Sequence, residues 1–373
     1  MIERELQSVI EKKLFKGKAI IITGARQVGK TTLLKQFSEK FDIPVQTLNC
    51  DEPEVREFLT DTNTIKLSSL IGNYKIVMID EAQRVKNIGL TLKLIVDNFK
   101  DVQLIVTGSS SLELGNEINE PLTGRKFEYT LYPVSSKELI NNQGLLSEKK
   151  SFESRLIYGS YPDILNNPQD AKELLINIKE SYLYKDLLSL EEIRRPDLLD
   201  KLLIALALQL SNEVSYNELS QIVNSDSKTV EKYIDLLEKC FVVFRLNAFN
   251  RNLRNELKKG KKIYFYDNGI RNAILQNFAP LGLRSDVGAL WENYFICEKM
   301  KRNHYSGKYV NTYFWRTTAQ QEIDLIEEAD GQLSAYEMKW NVTKKVNFPQ
   351  SFLKTYNIRE TAVITPGNYL EFL

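Results

Sequence analysis

Gly24-Ala25-Arg26-Gln27-Val28-Gly29-Lys30-Thr31 follows the pattern Gly-x4-Gly-Lys-[Ser/Thr], in which each residue type answers a chemical need. The glycines let the backbone turn back so that successive N–H groups face one point. A helix start behind them adds a positive field that favours phosphate. Lys30 then reaches the β and γ phosphates of ATP, and the Thr31 hydroxyl can bind Mg²⁺. Gly24, Ala25, Arg26, Gln27, Val28, Gly29, Lys30, Thr31 and Thr32 are therefore the expected nucleotide-binding residues. About fifty residues on, Asp80-Glu81 supplies the acids such a loop needs. Asp80 is expected to hold Mg²⁺ through its water shell, and Glu81 to orient and deprotonate the attacking water. Thr107-Gly108-Ser109-Ser110 offers hydroxyls that could sense the γ-phosphate, with Ser109 the first choice and Thr107 the second; any of them could instead cap the next helix. Arg125, in Leu122-Thr123-Gly124-Arg125, is either a finger for transferred charge, in cis or from a neighbouring subunit, or a plain surface arginine.

A second constellation lies in the last hundred residues: Glu292 on an amphipathic helical pattern, Asp324 on a strand pattern, and, after a hairpin turn at Ala329-Asp330-Gly331, Glu337-x-Lys339 on the next strand. Alternation puts Glu337 and Lys339 on one face. Together these residues resemble the PD-(D/E)xK nuclease fold; the resemblance implies that Asp324 and Glu337, helped by Glu292, bind one or two Mg²⁺, with Lys339 positioning water or steadying phosphorane charge. Glu-x-Lys is also the common signature of a strand's solvent face. The lone histidine, His304, excludes Ser-His-Asp triads and multi-histidine metal sites, which leaves carboxylates and lysines to carry the chemistry.

These residues need rigid elements behind them. The apolar runs Ala19-Ile20-Ile21-Ile22, Val45-Gln46-Thr47-Leu48-Asn49, Lys75-Ile76-Val77-Met78-Ile79, Val102-Gln103-Leu104-Ile105-Val106 and Phe127-Glu128-Tyr129-Thr130-Leu131 read as strands of a parallel α/β sheet. Helical patterns begin at Thr32 and Glu54, and residues 1–18 read as a lead-in helix. Residues 151–210 read as helical, interrupted near Gly159-Ser160-Tyr161-Pro162, with Glu191-Glu192-Ile193-Arg194-Arg195-Pro196 as a solvated hinge. From Ser215 a short helix, a turn at Asn224-Ser225, a cap at Asp226 or Ser227 and a second helix precede two strands. Between those strands, residues 251–262 carry Arg251, Arg254, Lys258, Lys259, Lys261 and Lys262 against the single acid Glu256. Such density suits phosphate contacts. The preceding helix, however, carries Glu231, Asp235 and Glu238, so a dimer or interdomain role stays open.

A chain of 373 residues exceeds one ordinary core, so several domains are expected. Net charge of +1 means that any nucleic-acid surface must come from local clustering. Cys50, Cys240 and Cys297 are too sparse for a disulfide framework or a zinc site and fit a cytoplasmic protein. The longest apolar run, residues 202–210, is too short to span a membrane.

The segments Gly-x4-Gly-Lys-Thr-Thr, Ile-Asp-Glu-Ala-Gln, Thr-Gly-Ser-Ser-Ser and Leu-Thr-Gly-Arg occur in one order over residues 18–140. Together they resemble the prokaryotic AAA+-like ATPases that carry a restriction-endonuclease-like domain at the carboxyl end. The resemblance implies an ATPase domain at 1–145, a helical lid at 146–210, a winged helix at 211–280 and a PD-(D/E)xK nuclease-like domain at 281–373. The lid region offers no arginine of the second-sensor type. The implied function is Mg²⁺-dependent ATP hydrolysis coupled to a carboxyl-terminal region that binds DNA or both binds and cleaves it. The alternative is a nucleotide-driven switch that binds protein partners or a second copy of the chain.

Overall fold

A computed structural model describes residues 2–109, 115, 118–181, 195–250, 260–317, 319–341 and 346–373. The chain forms two compact units, Met1–Val134 with Lys239–Phe241, and Ser135–Glu238 with Val242–Leu373. Residues 191–194 of the hinge expected at 191–196, Ser110, and the basic residues at 251–259 lie outside the described residues.

In the first unit, α1 (Glu5–Glu11) leads into β1 (Ala19–Thr23), and α2 (Lys30–Lys40) follows the glycine loop. The remaining strands are β2 (Val45–Asn49), β3 (Ile76–Asp80), β4 (Gln103–Gly108) and β5 (Lys126–Thr130). Their order is β2-β3-β4-β1-β5, and every neighbouring pair is parallel. Continuous apolar runs form these strands because both faces of a parallel sheet are covered. Every residue of β3 and β4 is buried, and Ile21, Val77, Ile79 and Val106 pack with Leu92 and Ile95 of the helix Ile88–Asn98. Sheet order decides what meets at the carboxyl edge: β4 lies between β1 and β3, so Thr107 and Ser109 emerge between the glycine loop and Asp80-Glu81.

The second unit opens with the helices Ser136–Gln143, Leu145–Tyr158, Pro162–Asn166, Ala171–Ile178 and Pro196–Leu208. Their expected interruption is real. Gly159 has φ +71°, and a Cβ there would meet Asp267 Oδ1 at 1.9 Å. The helix pair Tyr216–Ile222 and Ser227–Lys239 is joined through Asp226, whose Oδ1 accepts the backbone N–H groups of Lys228 and Thr229, both at 3.0 Å.

One mixed sheet of seven strands runs through this unit: β6 (Glu213–Val214), β7 (Val243–Ala248), β8 (Lys261–Phe265), β9 (Asn311–Arg316), β10 (Glu322–Ala329), β11 (Gln332–Met338) and β12 (Ile358–Ile364). The order is β12-β11-β10-β9-β7-β8-β6. β7 and β8 therefore share a sheet with β9, across residue 280 where the sequence suggests a domain boundary. Between β10 and β11, Asp330 (φ 51°) and Gly331 (φ 74°) make the two-residue turn the sequence predicts. The helix Val287–Tyr305 departs from expectation. It is not amphipathic but buried round most of its circumference, because β8, β11 and the helix Leu145–Tyr158 all pack against it.

Among the described residues no helix is long and apolar enough to cross a membrane. Cys50, Cys240 and Cys297 are buried.

Candidate functional site

At the carboxyl edge of the first sheet the loop residues adopt the backbone their pattern demands. Gly24 has φ +152°, and a Cβ there would lie 2.3 Å from the carbonyl oxygen of Leu131. Gln27 and Gly29 also have positive φ, at 60° and 98°. Gly29 caps α2, so Lys30 begins the helix. Lys30 is buried, and its Nζ donates to the carbonyls of Gly24 (3.0 Å) and Ala25 (2.9 Å), within its own loop. Thr31 and Thr32 stand exposed at the helix start, whereas Val28 is buried.

Thr31 Oγ1 donates to Asp80 Oδ2 at 2.6 Å, joining the loop to the end of β3. Thr107 donates its hydroxyl to Asp80 Oδ1. The backbone N–H of Glu81 faces both Asp80 Oδ1 (3.1 Å) and Thr107 Oγ1 (3.3 Å). Glu81 itself has φ 54°, a left-handed conformation uncommon outside glycine. Hydroxyl and carboxylate oxygens this close form a hard donor pair of the kind Mg²⁺ takes, so Thr31 and Asp80 fit that ion.

Thr107, the second choice in sequence, is the hydroxyl that contacts Asp80. Ser109 touches Gln83 instead. Gln83 Nε2 donates to Glu81 Oε2 at 2.6 Å and to Ser109 Oγ at 2.9 Å, so one amide ties the expected general base to the end of β4. Arg125 does not join this group. It precedes β5, and its carbonyl accepts the N–H of Ala19 at the start of β1. The glycine loop follows the other end of that five-residue strand, on the order of 15 Å away. Arg125 Nε pairs there with Asp97 Oδ1 at 2.7 Å, so the cis finger expected of it is not formed.

Two residues escaped sequence reading. Gln83 sits two places after Glu81 with nothing in its type to mark it. Arg4, in the lead-in segment, is 5% exposed and donates to the Val28 carbonyl (2.7 Å) and the Tyr132 carbonyl (2.6 Å), bracing the glycine loop from behind.

The second constellation also converges, within the second unit. One step beyond the pair Leu325↔Tyr336, Asp324 lies across from Glu337, and Asp324 Oδ2 accepts the Met338 N–H at 2.8 Å. Lys339 Nζ lies 2.7 Å from Glu337 Oε2 and 3.6 Å from Asp324 Oδ2. Glu292 approaches from its helix, and its Oε1 accepts the Tyr264 hydroxyl at 2.6 Å. Burial, reinforced by Asp324, pushes Glu337 up to about 7 against the pull of Lys339. Burial likewise pushes Glu292 up to about 7, with Lys262 pulling down and Asp324 pushing up.

The surprise is Lys262. The sequence groups it with exposed phosphate-binding lysines, but its side chain is 2% exposed, 2.5 Å from Glu322 Oε1 and 3.3 Å from Glu292 Oε1. Burial alone would lower its pKa; Glu292, Asp324 and Glu322 together raise it above the ordinary lysine value. The expected metal trio is not gathered. Among the described residues no group of three or more His, Cys, Asp or Glu is arranged to hold a metal ion. Ammonium groups stand between the acids instead, so Glu292, Asp324 and Glu337 as they lie do not fit the divalent ions their spacing predicts.

Residues 16–140 match the family described as AAA domain. The fold of the chain is similar to that of the Walker-type ATPase of Pyrococcus abyssi, with a TM-score of 0.50 at 17% identity over 74% of this chain and 96% of that one. The first unit has the parallel-sheet fold of a P-loop domain. Residues 149–281 and 287–372 match two families described as domains of unknown function, DUF8612 and DUF4143. An uncharacterized protein of Mycobacterium tuberculosis is 25% identical over 375 residues, 98% of this chain and 80% of that one. An uncharacterized protein of Haemophilus influenzae is 26% identical over 295 residues, 73% of each chain.

Proposed function

We propose that the chain binds ATP in the loop of residues 24–32 and hydrolyses it with Mg²⁺, coupling nucleotide state to a DNA-facing carboxyl-terminal half. The observation that carries the ATPase reading is the Thr31–Asp80 hydrogen bond at 2.6 Å, which joins a phosphate-binding loop to the acid of β3. In this reading the backbone N–H groups of the loop and Lys30 bind the β and γ phosphates, Lys30 exchanging its bonds to Gly24 and Ala25 for phosphate oxygens. Thr31 and Asp80 would hold Mg²⁺, which would neutralise charge that develops on the phosphates. Glu81 takes the proton of the attacking water once Gln83 releases its carboxylate. Ser109, the other partner of that amide, is placed to follow the change. Arg125 can act only on a neighbouring copy. Lys30→Ala should abolish ATP binding in a nucleotide titration; retained binding and turnover would overturn the site.

The DNA reading rests on the capped helix pair Tyr216–Ile222 and Ser227–Lys239 followed by β7 and β8, which resembles a winged helix, and on the Asp324, Glu337 and Lys339 arrangement, which resembles the PD-(D/E)xK fold. The division at 1–145, 146–210, 211–280 and 281–373 is kept as a functional reading, with the last two parts joined by one sheet. No cleavage step is derived, since the acids do not fit a divalent ion as they lie. A second reading, a nucleotide switch for protein partners, draws on a specific observation. Arg245 pairs with Asp235 at 2.6 Å and with Glu238, and Lys261 lies 3.5 Å from Glu231, so acids of the supposed reading helix cover nearby cations. The ATPase rate measured with and without DNA at rising salt separates the two. Stimulation that fades steeply with salt supports DNA, and a rate indifferent to DNA supports the protein switch.

A further inference from the structure

Lys262 is not a surface lysine that happens to touch an acid. It lies on β8, is 2% exposed at the side chain, and extends over the Phe314 ring with Nζ 5.5 Å from the centroid. Its ammonium meets carboxylates from two other elements, Glu292 of the helix Val287–Tyr305 and Glu322 at the start of β10. Asp324, two residues after Glu322, adds a further negative charge that acts on the same ammonium. The Tyr264 hydroxyl fixes Glu292 by donating to the same oxygen, Oε1, that faces Lys262. Glu322 also has Arg316 Nε 3.8 Å from its other oxygen, at the exposed margin. Burying an ammonium this deeply is costly, and the cost is offset only where several fixed acids surround it. A ring of hard oxygens converging on one buried positive charge is also what Mg²⁺, Mn²⁺ or Ca²⁺ requires.

We propose that Lys262 is a built-in cation that occupies the place a divalent ion takes in a carboxylate-lined site, and that removing its ammonium opens a divalent-cation site bounded by Glu292, Glu322 and Asp324. This goes beyond the DNA reading and does not depend on it, because it concerns which cation the acids hold and not what they act upon. It also accounts for the misfit of the acids with a metal: the position is taken by the chain itself.

The test is a count of bound Mn²⁺ by electron paramagnetic resonance on the full, nucleotide-free chain. Because the glycine loop is the same in every variant, differences report on the cluster alone. Lys262→Gln should hold one more Mn²⁺ per chain than wild type, Lys262→Arg should match wild type, and adding Asp324→Asn to Lys262→Gln should remove the extra ion. Thermal melting supplies a second readout: Lys262→Gln should melt below wild type in EDTA and recover with millimolar Mn²⁺, while wild type is unmoved. A purely structural lysine would give the loss without the recovery. Equal Mn²⁺ counts in wild type and Lys262→Gln, an extra ion that survives Asp324→Asn, or a wild-type ion that Asp324→Asn removes would each overturn the proposal. If Lys262→Gln accumulates only as unfolded chain, refolding with Mn²⁺ decides: recovery supports the built-in cation, and failure to recover overturns it.

Discussion

The two polar clusters use the same carboxylate chemistry and differ in what answers it. In the first unit Asp80 is met by hydroxyls, Thr31 at 2.6 Å and Thr107, and by a backbone N–H. A hydroxyl is a neutral partner that can turn its lone pair toward an incoming cation and remain a ligand. In the second unit the acids are met by ammonium groups, Lys262 and Lys339, which already carry the positive charge and have no lone pair to offer. The first cluster is thus open to a transient cation, whereas the second is charge-satisfied from within. Carboxylates alone do not make a metal site; the counter-groups decide.

The contrast can be broken at the first cluster. Glu81→Gln keeps the shape of the side chain but removes the base, so turnover should fall about 1000-fold with ATP binding retained. A single-turnover assay beside a binding titration checks both halves, and equal turnover would remove Glu81 from the chemistry. Next in size is Gly24→Ala. Its Cβ would collide with the Leu131 carbonyl at 2.3 Å, so the first unit should lose about 3 kcal/mol in denaturant unfolding.

The second unit supplies a test of how ion pairs respond to acid. Burial would raise the pKa of Asp286, but hydrogen bonds from Arg284 (2.8 Å) and Arg271 (2.5 Å) outweigh it and hold the group at about 2, below its ordinary 3.8. A depressed carboxylate stabilises the fold above its unfolded pKa and loses that contribution as pH falls through the folded value. About 2 kcal/mol should therefore disappear between pH ~4 and pH ~2. The Asp286→Asn variant should lack that part of the acid slope in urea unfolding. The smallest effect belongs to Arg125→Ala. Its solvent-screened pair with Asp97 adds little to stability, and hydrolysis by an isolated chain should be unchanged. A large loss of activity that grows with protein concentration would place Arg125 in a neighbouring copy's site.

What could be read from sequence was local. The glycine loop, the acids after β3, the Asp226 cap and the Asp330-Gly331 turn announce themselves because the backbone or the phosphate demands those residue types in a fixed order. Sheet order was not legible, since nothing in Leu122-Thr123-Gly124-Arg125 tells which edge the loop will occupy, and so a finger and a surface arginine stood as alternatives for Arg125. The fate of Lys262 was hidden for a related reason. A basic run reads as solvated until Glu292 and Glu322, 30 and 60 positions away, are seen to enclose one of its members. Arg4 and Gln83 act through backbone carbonyls and a bridging amide, contacts that leave no trace in spacing.

The seven-stranded sheet has a consequence for how this protein must be made. Its first strand begins at Glu213 and its last ends at Ile364, and β9 to β12 are synthesised after β6 to β8. While β7 waits for β9, a row of unpaired backbone groups is left bare, the kind of edge that recruits strands from other chains. A ribosome must therefore pass Arg316 before that edge can close. Stop codons after residue 280 should yield aggregates and not a smaller folded protein.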